Sequence, residues 1–142
     1  MEYTTNQKGL ITEMEVMLYL VKLGYNVSKP LNADSRYDCI LDINGNLLKI
    51  QIKTSHWKND EHTAFKLNTK SVTTSGGCNV TTVYKKKEID YFATYIDGQV
   101  YLIPVEECSA EKTIWTGMPA NNQVKNISFA TKYIASEVLK NL

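Results

Sequence analysis

No stretch of this 142-residue sequence is apolar for anything near the roughly 20 residues that a membrane-spanning helix requires. The first ten residues, MEYTTNQKGL, are polar and lack the apolar centre of a secretory signal. Cysteine is scarce. Cys39, Cys78 and Cys108 lie far apart, are odd in number, and have no second Cys or His at metal-ligand spacing, which argues against a disulfide framework or a zinc site. Internal repeats, low-complexity tracts and interdomain linkers are missing as well. These absences predict a cytoplasmic protein with no membrane association. In that setting the sequons at Asn26, Asn79 and Asn126 carry little meaning.

What is present is an ordinary globular composition, 43% hydrophobic and 22% charged. The length predicts a single domain over residues 1–142, enough for one core burying about two-thirds of the unfolded surface. Net charge is only +1, but it is unevenly spread. Residues 49–87 hold eight lysines against Asp60 and Glu61, a net +6, while the remainder is net −5. That asymmetry fits either a solvated lysine-rich hairpin or a basic patch facing a polyanion.

Periodicity predicts a helix over 7–24, with Leu10, Met14, Met17, Leu18 and Val21 on one apolar stripe and Gly24 as its terminator. A short strand, Tyr25 to Ser28, follows. Tyr37–Ile43 and Leu47–Thr54 flank Asn44-Gly45, the strongest short hairpin signal. In the second of these strands Leu48, Ile50 and Ile52 alternate with Lys49, Gln51 and Lys53. A third strand is expected near Thr63–Leu67, a mobile loop over 68–79 with Gly76-Gly77 at its tip, and a second hairpin, Tyr91–Ile96 and Gln99–Ile103, around Asp97-Gly98. The segment from Ser128 to Leu142 reads as a helix with Phe129, Tyr133, Ile134 and Val138 on one side. This order predicts an α/β or α+β fold with a mixed sheet covered by helices.

Chemistry concentrates at the first hairpin. Gln51 and Lys53 share a face, because side chains repeat every two residues along a strand. Counted back from the turn, Asp38 falls roughly opposite residues 51–53. One carboxylate, one amide oxygen and one ammonium thus converge at the open end of the hairpin. Such a set suits a hard cation such as Mg²⁺ beside a group that binds phosphate or orients water. The plainer reading is a cross-strand ion pair between Asp38 and Lys53.

Tyr37-Asp38, twelve further residues, then Gln51-Ile52-Lys53-Thr54 resembles the PD-(D/E)XK nuclease superfamily, with Gln in the (D/E) position. Gly9-Leu-Ile-Thr-Glu13 in the preceding helix resembles the G-x-x-x-E signature of the branch whose motif ends Q-x-K. Leu23-Gly24-Tyr25-Asn26-Val27, Pro30, Arg36, and Asp90-Tyr91-Phe92 to Tyr101-Leu-Ile-Pro104 extend the likeness. This branch is similar to intron-encoded homing endonucleases and Holliday-junction-resolvase-like proteins. Tyr37 stands in place of the motif's Pro, and Gln51, which brings an oxygen but no charge, in place of its acid.

The resemblance implies a restriction-endonuclease-like core, α-β-β-β-α-β, and a metal-dependent DNA endonuclease. It implies Glu13, Asp38, Gln51 and Lys53 as catalytic residues. Asp38, the Gln51 side chain, the Ile52 carbonyl and Glu13 would serve Mg²⁺, with Mn²⁺ as a substitute. Lys53 would orient water and offset charge on the phosphate. Glu15 lies about 200° around the helix from Glu13 and is the weaker alternative. Lys85, Lys86 and Lys87, with Thr54, Ser55 and Lys58, are expected to meet DNA, double-stranded or branched. So small a domain is expected to work as a homo-oligomer, using the second hairpin or the C-terminal helix as its interface. The reading from a different class is a non-catalytic DNA-binding or assembly module on the same fold, which Gln51 favours. A protein-binding antitoxin or immunity role fits the lysine-rich segment less well.

Overall fold

A computed structural model of the chain describes the backbone of all 142 residues and every side chain except those of Thr73 and Ser75. The first helix, α1 (Thr5–Lys22), begins at a capping box: the Gln7 N–H donates to Thr4 Oγ1 at 3.2 Å and the Thr4 N–H donates to Gln7 Oε1 at 2.8 Å. It stops at Leu23, and Gly24 turns the chain at φ +95°. Three short strands follow: β1 (Asn26–Ser28), β2 (Cys39–Ile43) and β3 (Asn46–Ile52). The turn between β2 and β3 holds Asn44 and Gly45 both at positive φ, a conformation that matches the twist of the paired strands.

The central sheet has the order β1-β2-β3-β8-β9, with β8 (Tyr91–Ile96) and β9 (Gln99–Pro104) forming the second hairpin. Only the β3–β8 pairing is parallel, so the sheet is mixed, as the sequence predicts. Parallel neighbours need a long crossover. Here strands make it: β4 (Ser55–Trp57), β5 (Ala64–Asn68), β6 (Lys70–Ser75) and β7 (Cys78–Val83). The internal helix implied by the α-β-β-β-α-β pattern is replaced by these strands. β4 and β5 join β10 (Glu111–Trp115) in a three-stranded sheet, while β6 and β7 pair with each other.

The core has two halves, one on each face of the central sheet. Val16 and Leu20 of α1 pack on Cys39, Leu41, Ile50 and Ala93, with Leu102 beneath Leu139 of the C-terminal helix α2 (Ala135–Lys140). On the other face Phe65, Leu67 and Ile114 of the small sheet pack on Phe92, Tyr101 and Ile103.

Four expectations need correction. Most of the apolar stripe of α1 faces away from the core: Leu10, Met14, Leu18 and Val21 are exposed, Met17 packs partly buried against it, and Thr12, Val16 and Leu20 are buried. The buried face runs at four-residue spacing and includes a Thr, so apolarity alone does not mark it. Residues 68–79 are no loop but most of the β6–β7 hairpin, whose β-branched residues favour extended backbone. The predicted helix over 128–142 is reduced to a 3₁₀ turn (Ala130–Tyr133) and α2, because Ile134 is extended at ψ +122° and bridges Tyr101. The β8–β9 hairpin is also mostly buried, so it offers little of the oligomer surface expected of it. No helix is long and apolar enough to cross a membrane.

Candidate active site

The open end of the β2–β3 hairpin abuts α1 and the start of β8. Asp38 immediately precedes β2, and its N–H donates to the Ile50 carbonyl at 2.8 Å. Its carboxylate reaches across the hairpin, where Oδ2 accepts the Ile52 N–H at 2.8 Å. Ile52, expected to act through its carbonyl, thus meets Asp38 through its amide hydrogen.

The Gln51 side chain lies between Asp38 and the chain before it. Its amide is satisfied with the NH₂ group donating to Asp38 Oδ2 at 3.2 Å and to the Arg36 carbonyl at 2.8 Å. A half-turn of the amide brings Oε1 to the same point. Gln51 therefore stands where an amide can either hold Asp38 by hydrogen bonds or present an oxygen beside it.

Lys53 is half-buried just past the end of β3. Its N–H donates to the Ala93 carbonyl at 2.9 Å, anchoring it to β8, and its Nζ donates to the Lys70 carbonyl at 3.2 Å. No direct Asp38–Lys53 ion pair forms, although the two feel each other's charge. The plain cross-strand ion pair is therefore not what the hairpin builds.

Glu13 faces the same cleft from α1, partly buried, and its Oε1 pairs with Lys29 Nζ at 3.0 Å. Burial drives the Asp38 carboxyl above its ordinary value; the Ile52 N–H opposes that, and the Glu13 charge adds to it. Burial lowers the Lys53 ammonium, against the opposing pull of Asp38, and Arg36 lowers it further. Next to Asp38, the Cys39 thiol is pushed up to about 12, mainly by burial, and is therefore unreactive.

Sequence reasoning left two residues of this surround out of the site. Lys29, just past β1, supplies the counter-charge to Glu13. Arg36 lies 4.0 Å over the Tyr84 ring and pairs with Glu88, and Lys53 Nζ lies 5.4 Å from the same ring. Arg36 belongs to the Arg-Tyr-Asp run visible in the sequence, but nothing there indicates a stacking partner 48 positions away.

The residues expected to meet DNA are spread more widely. The Thr54 hydroxyl donates to Thr12 at 3.4 Å, and the Ser55 hydroxyl bonds that of Thr94, so both half-exposed hydroxyls already have a partner at the strand end. Lys58 is exposed where the β4–β5 hairpin turns. Lys85 and Lys87 are exposed, whereas Lys86 is paired with Asp90 at 3.1 Å and Glu106 at 3.3 Å.

Among the described residues, no cluster of three or more His, Cys, Asp or Glu is placed to hold a metal. The donors at this cleft are oxygens: the carboxylates of Asp38 and Glu13, the reversible amide of Gln51 and the Arg36 carbonyl that it touches. An oxygen set of that kind fits a hard divalent cation and not a soft one.

The sequence model of the PD-(D/E)XK endonuclease family matches residues 3–136. Protein 5.3 of Escherichia phage T7 is 27% identical over 111 residues, covering 77% of this chain and 87% of the phage protein. Among solved structures, the bacterial homing endonuclease I-Ssp6803I superposes with a TM-score of 0.74 at 21% identity, over 98% of this chain and 95% of that one. At that identity the superposition speaks for the fold.

Proposed function

This chain belongs to the PD-(D/E)XK endonuclease family, and we propose that it is a divalent-metal-dependent endonuclease that hydrolyses phosphodiester bonds in DNA. The observation that carries this reading is the convergence of Asp38, Gln51, Glu13 and Lys53 on one cleft, each from a different part of the α1–β2–β3 framework. Asp38, with Gln51 turned to present Oε1 and Glu13 in support, would hold Mg²⁺ or Mn²⁺. When bound, such an ion supplies a Lewis acid for the phosphoryl oxygens and an acidified water. Lys53 holds its ammonium beside the reacting phosphate and offsets charge as it develops there, an interaction strengthened by partial burial. Lys29 holds Glu13 in place through their ion pair.

The substrate reading is duplex or branched DNA, met by one domain per chain working as a homo-oligomer. The fold shared with a homing endonuclease supports site-specific duplex cleavage ahead of junction resolution. The test is cleavage of supercoiled plasmid and of a synthetic four-way junction with Mg²⁺, Mn²⁺ or EDTA. Metal-dependent cuts that fall at least ~10²-fold in Lys53→Ala are expected. Preference for the junction over the linear duplex would reverse the choice of substrate. Light scattering gives the oligomeric state.

One observation favours a second reading. With its NH₂ turned toward Asp38 and the Arg36 carbonyl, Gln51 holds the carboxylate by hydrogen bonding without a cation, as a non-catalytic DNA-binding module would require. DNA retention in EDTA with no cleavage under any metal would decide for that module.

A further inference from the structure

We propose that the β6–β7 ribbon is the element that reads DNA sequence, inserted in the major groove beside the cleavage site. The proposal rests on the DNA reading above and adds to it the part of the chain that chooses the target.

Five observations carry it. From His62 to Lys87 the chain has no acidic residue, while Lys66, Lys70, Lys85, Lys86 and Lys87 lie in the same span. A ribbon free of carboxylates meets a polyanion without local repulsion. The ribbon is also unsupported: β6 and β7 pair only with each other, and Val72, Thr74, Asn79, Val80, Thr81, Thr82 and Val83 are all exposed. A two-stranded hairpin standing alone is marginal in water. Its valines and threonines preserve an extended shape there rather than fill a core.

Its dimensions suit the groove. The major groove, about 12 Å wide, admits a two-stranded ribbon. Six residues at about 3.3 Å each make an arm of about 20 Å, which spans roughly six base-pair steps of about 3.4 Å. Gly76 and Gly77, at φ +58° and +80°, close it with a turn too narrow to obstruct entry.

Its root is fixed to the cleft. The first residue of β6, Lys70, accepts the Lys53 Nζ hydrogen bond at its carbonyl, and Tyr84, directly after β7, is the ring beneath Arg36. The arm therefore leaves from the wall of the cleavage site, so a base read along it lies at a set distance from the bond cut.

Register places Val72 opposite Thr81 and Thr74 opposite Asn79 on one face. The Thr74 hydroxyl donates to Asn79 Oδ1 at 3.0 Å, which steadies the amide and leaves its NH₂ to donate. An Asn amide matches the major-groove edge of adenine, and the methyls of Val and Thr match that of thymine.

The experiment selects duplexes with a randomised centre on the full chain, with Ca²⁺ in place of Mg²⁺. Wild type is expected to enrich a defined sequence. The Asn79→Ala, Thr81→Ser double variant, which removes the amide and the methyl, is expected to bind that duplex about tenfold more weakly and to lose preference at two or more adjacent positions, with affinity for the unselected pool unchanged. An unchanged melting temperature of the double variant guards against an effect of misfolding. The ribbon assignment is overturned if the double variant enriches the same sequence as wild type. It is overturned equally if wild type enriches none while still cutting plasmid, in which case the nuclease reading stands alone. A change of oligomeric state in the variant with its sequence preference intact would make the ribbon a protein–protein edge instead. Selection that is lost in the variant, from a chain that never cuts, would support the ribbon and defeat the nuclease.

Discussion

At Asp38 a single carboxylate carries both a cost and a function. Burial raises its pKa above the ordinary 3.8, so the folded chain holds that proton more tightly than the unfolded one. The stabilisation is fully present below pH 3.8 and disappears as pH rises through the folded value, which leaves the ionised side chain a net cost at pH 7. Asp38→Asn is therefore expected to raise the melting temperature of the metal-free protein at pH 7, to give no gain at pH 3, and to abolish cleavage. Thermal denaturation at the two pH values in EDTA checks it, and a loss of stability at pH 7 would mean that the carboxylate is held by more than these contacts. Lys29 supplies the converse test. Its charge lowers the Asp38 pKa, so Lys29→Ala is expected to move the acid limb of the cleavage profile to higher pH with the plateau retained. An unmoved limb would detach Lys29 from the site. Asp38, Gln51 and Lys53 were legible in the sequence because their spacing around one tight turn fixes their meeting. Lys29 and Arg36 were not, since their partners, Glu13 and Tyr84, come from other elements and only the tertiary fold joins them.

Among the elements, α1 separates what periodicity shows from what it hides. Its presence is readable from the repeat and the terminating glycine, though it starts at Thr5 rather than residue 7, yet most of the stripe of large apolar residues lies on the wrong face. Leu10, Met14 and Leu18 dominate the pattern, whereas the face that packs on the sheet runs through Thr12, Val16 and Leu20, where a Thr interrupts the apolar run. Leu20→Ala should consequently cost about 2–5 kcal/mol, with Leu18→Ala costing less than about 0.5 kcal/mol, in paired urea denaturation curves. Equal costs would return the outer stripe to a buried interface. The β6–β7 ribbon escaped reading for a related reason. Ser, Thr, Asn and a Gly pair are turn formers in most contexts, and here the β-branched threonines and valines outweigh them without any alternation of burial to betray a strand.

The whole molecule sorts its charge by element. The mixed sheet, α1 and the carboxylates of the cleft sit on the near-neutral to acidic portion of the chain, and the excess of lysine enters with the crossover strands and the segment that follows them. That division was visible in composition, but not which lysines are available, because ion pairing is settled by the fold. Lys85 and Lys87 are exposed. Lys86 is equally prominent in sequence but already serves Asp90 and Glu106, and those carboxylates raise its pKa against a smaller loss from desolvation than they return. A phosphate that engaged Lys86 would have to displace both acids and leave them facing the DNA. Binding to a non-specific duplex, measured against salt concentration, is accordingly expected to lose about one unit of slope for Lys85→Ala and again for Lys87→Ala, and distinctly less for Lys86→Ala. Equal losses at all three would show that the Asp90–Lys86–Glu106 cluster opens on contact with DNA. No loss at any of them would move the phosphate footprint off this segment, onto the lysines nearer the cleft.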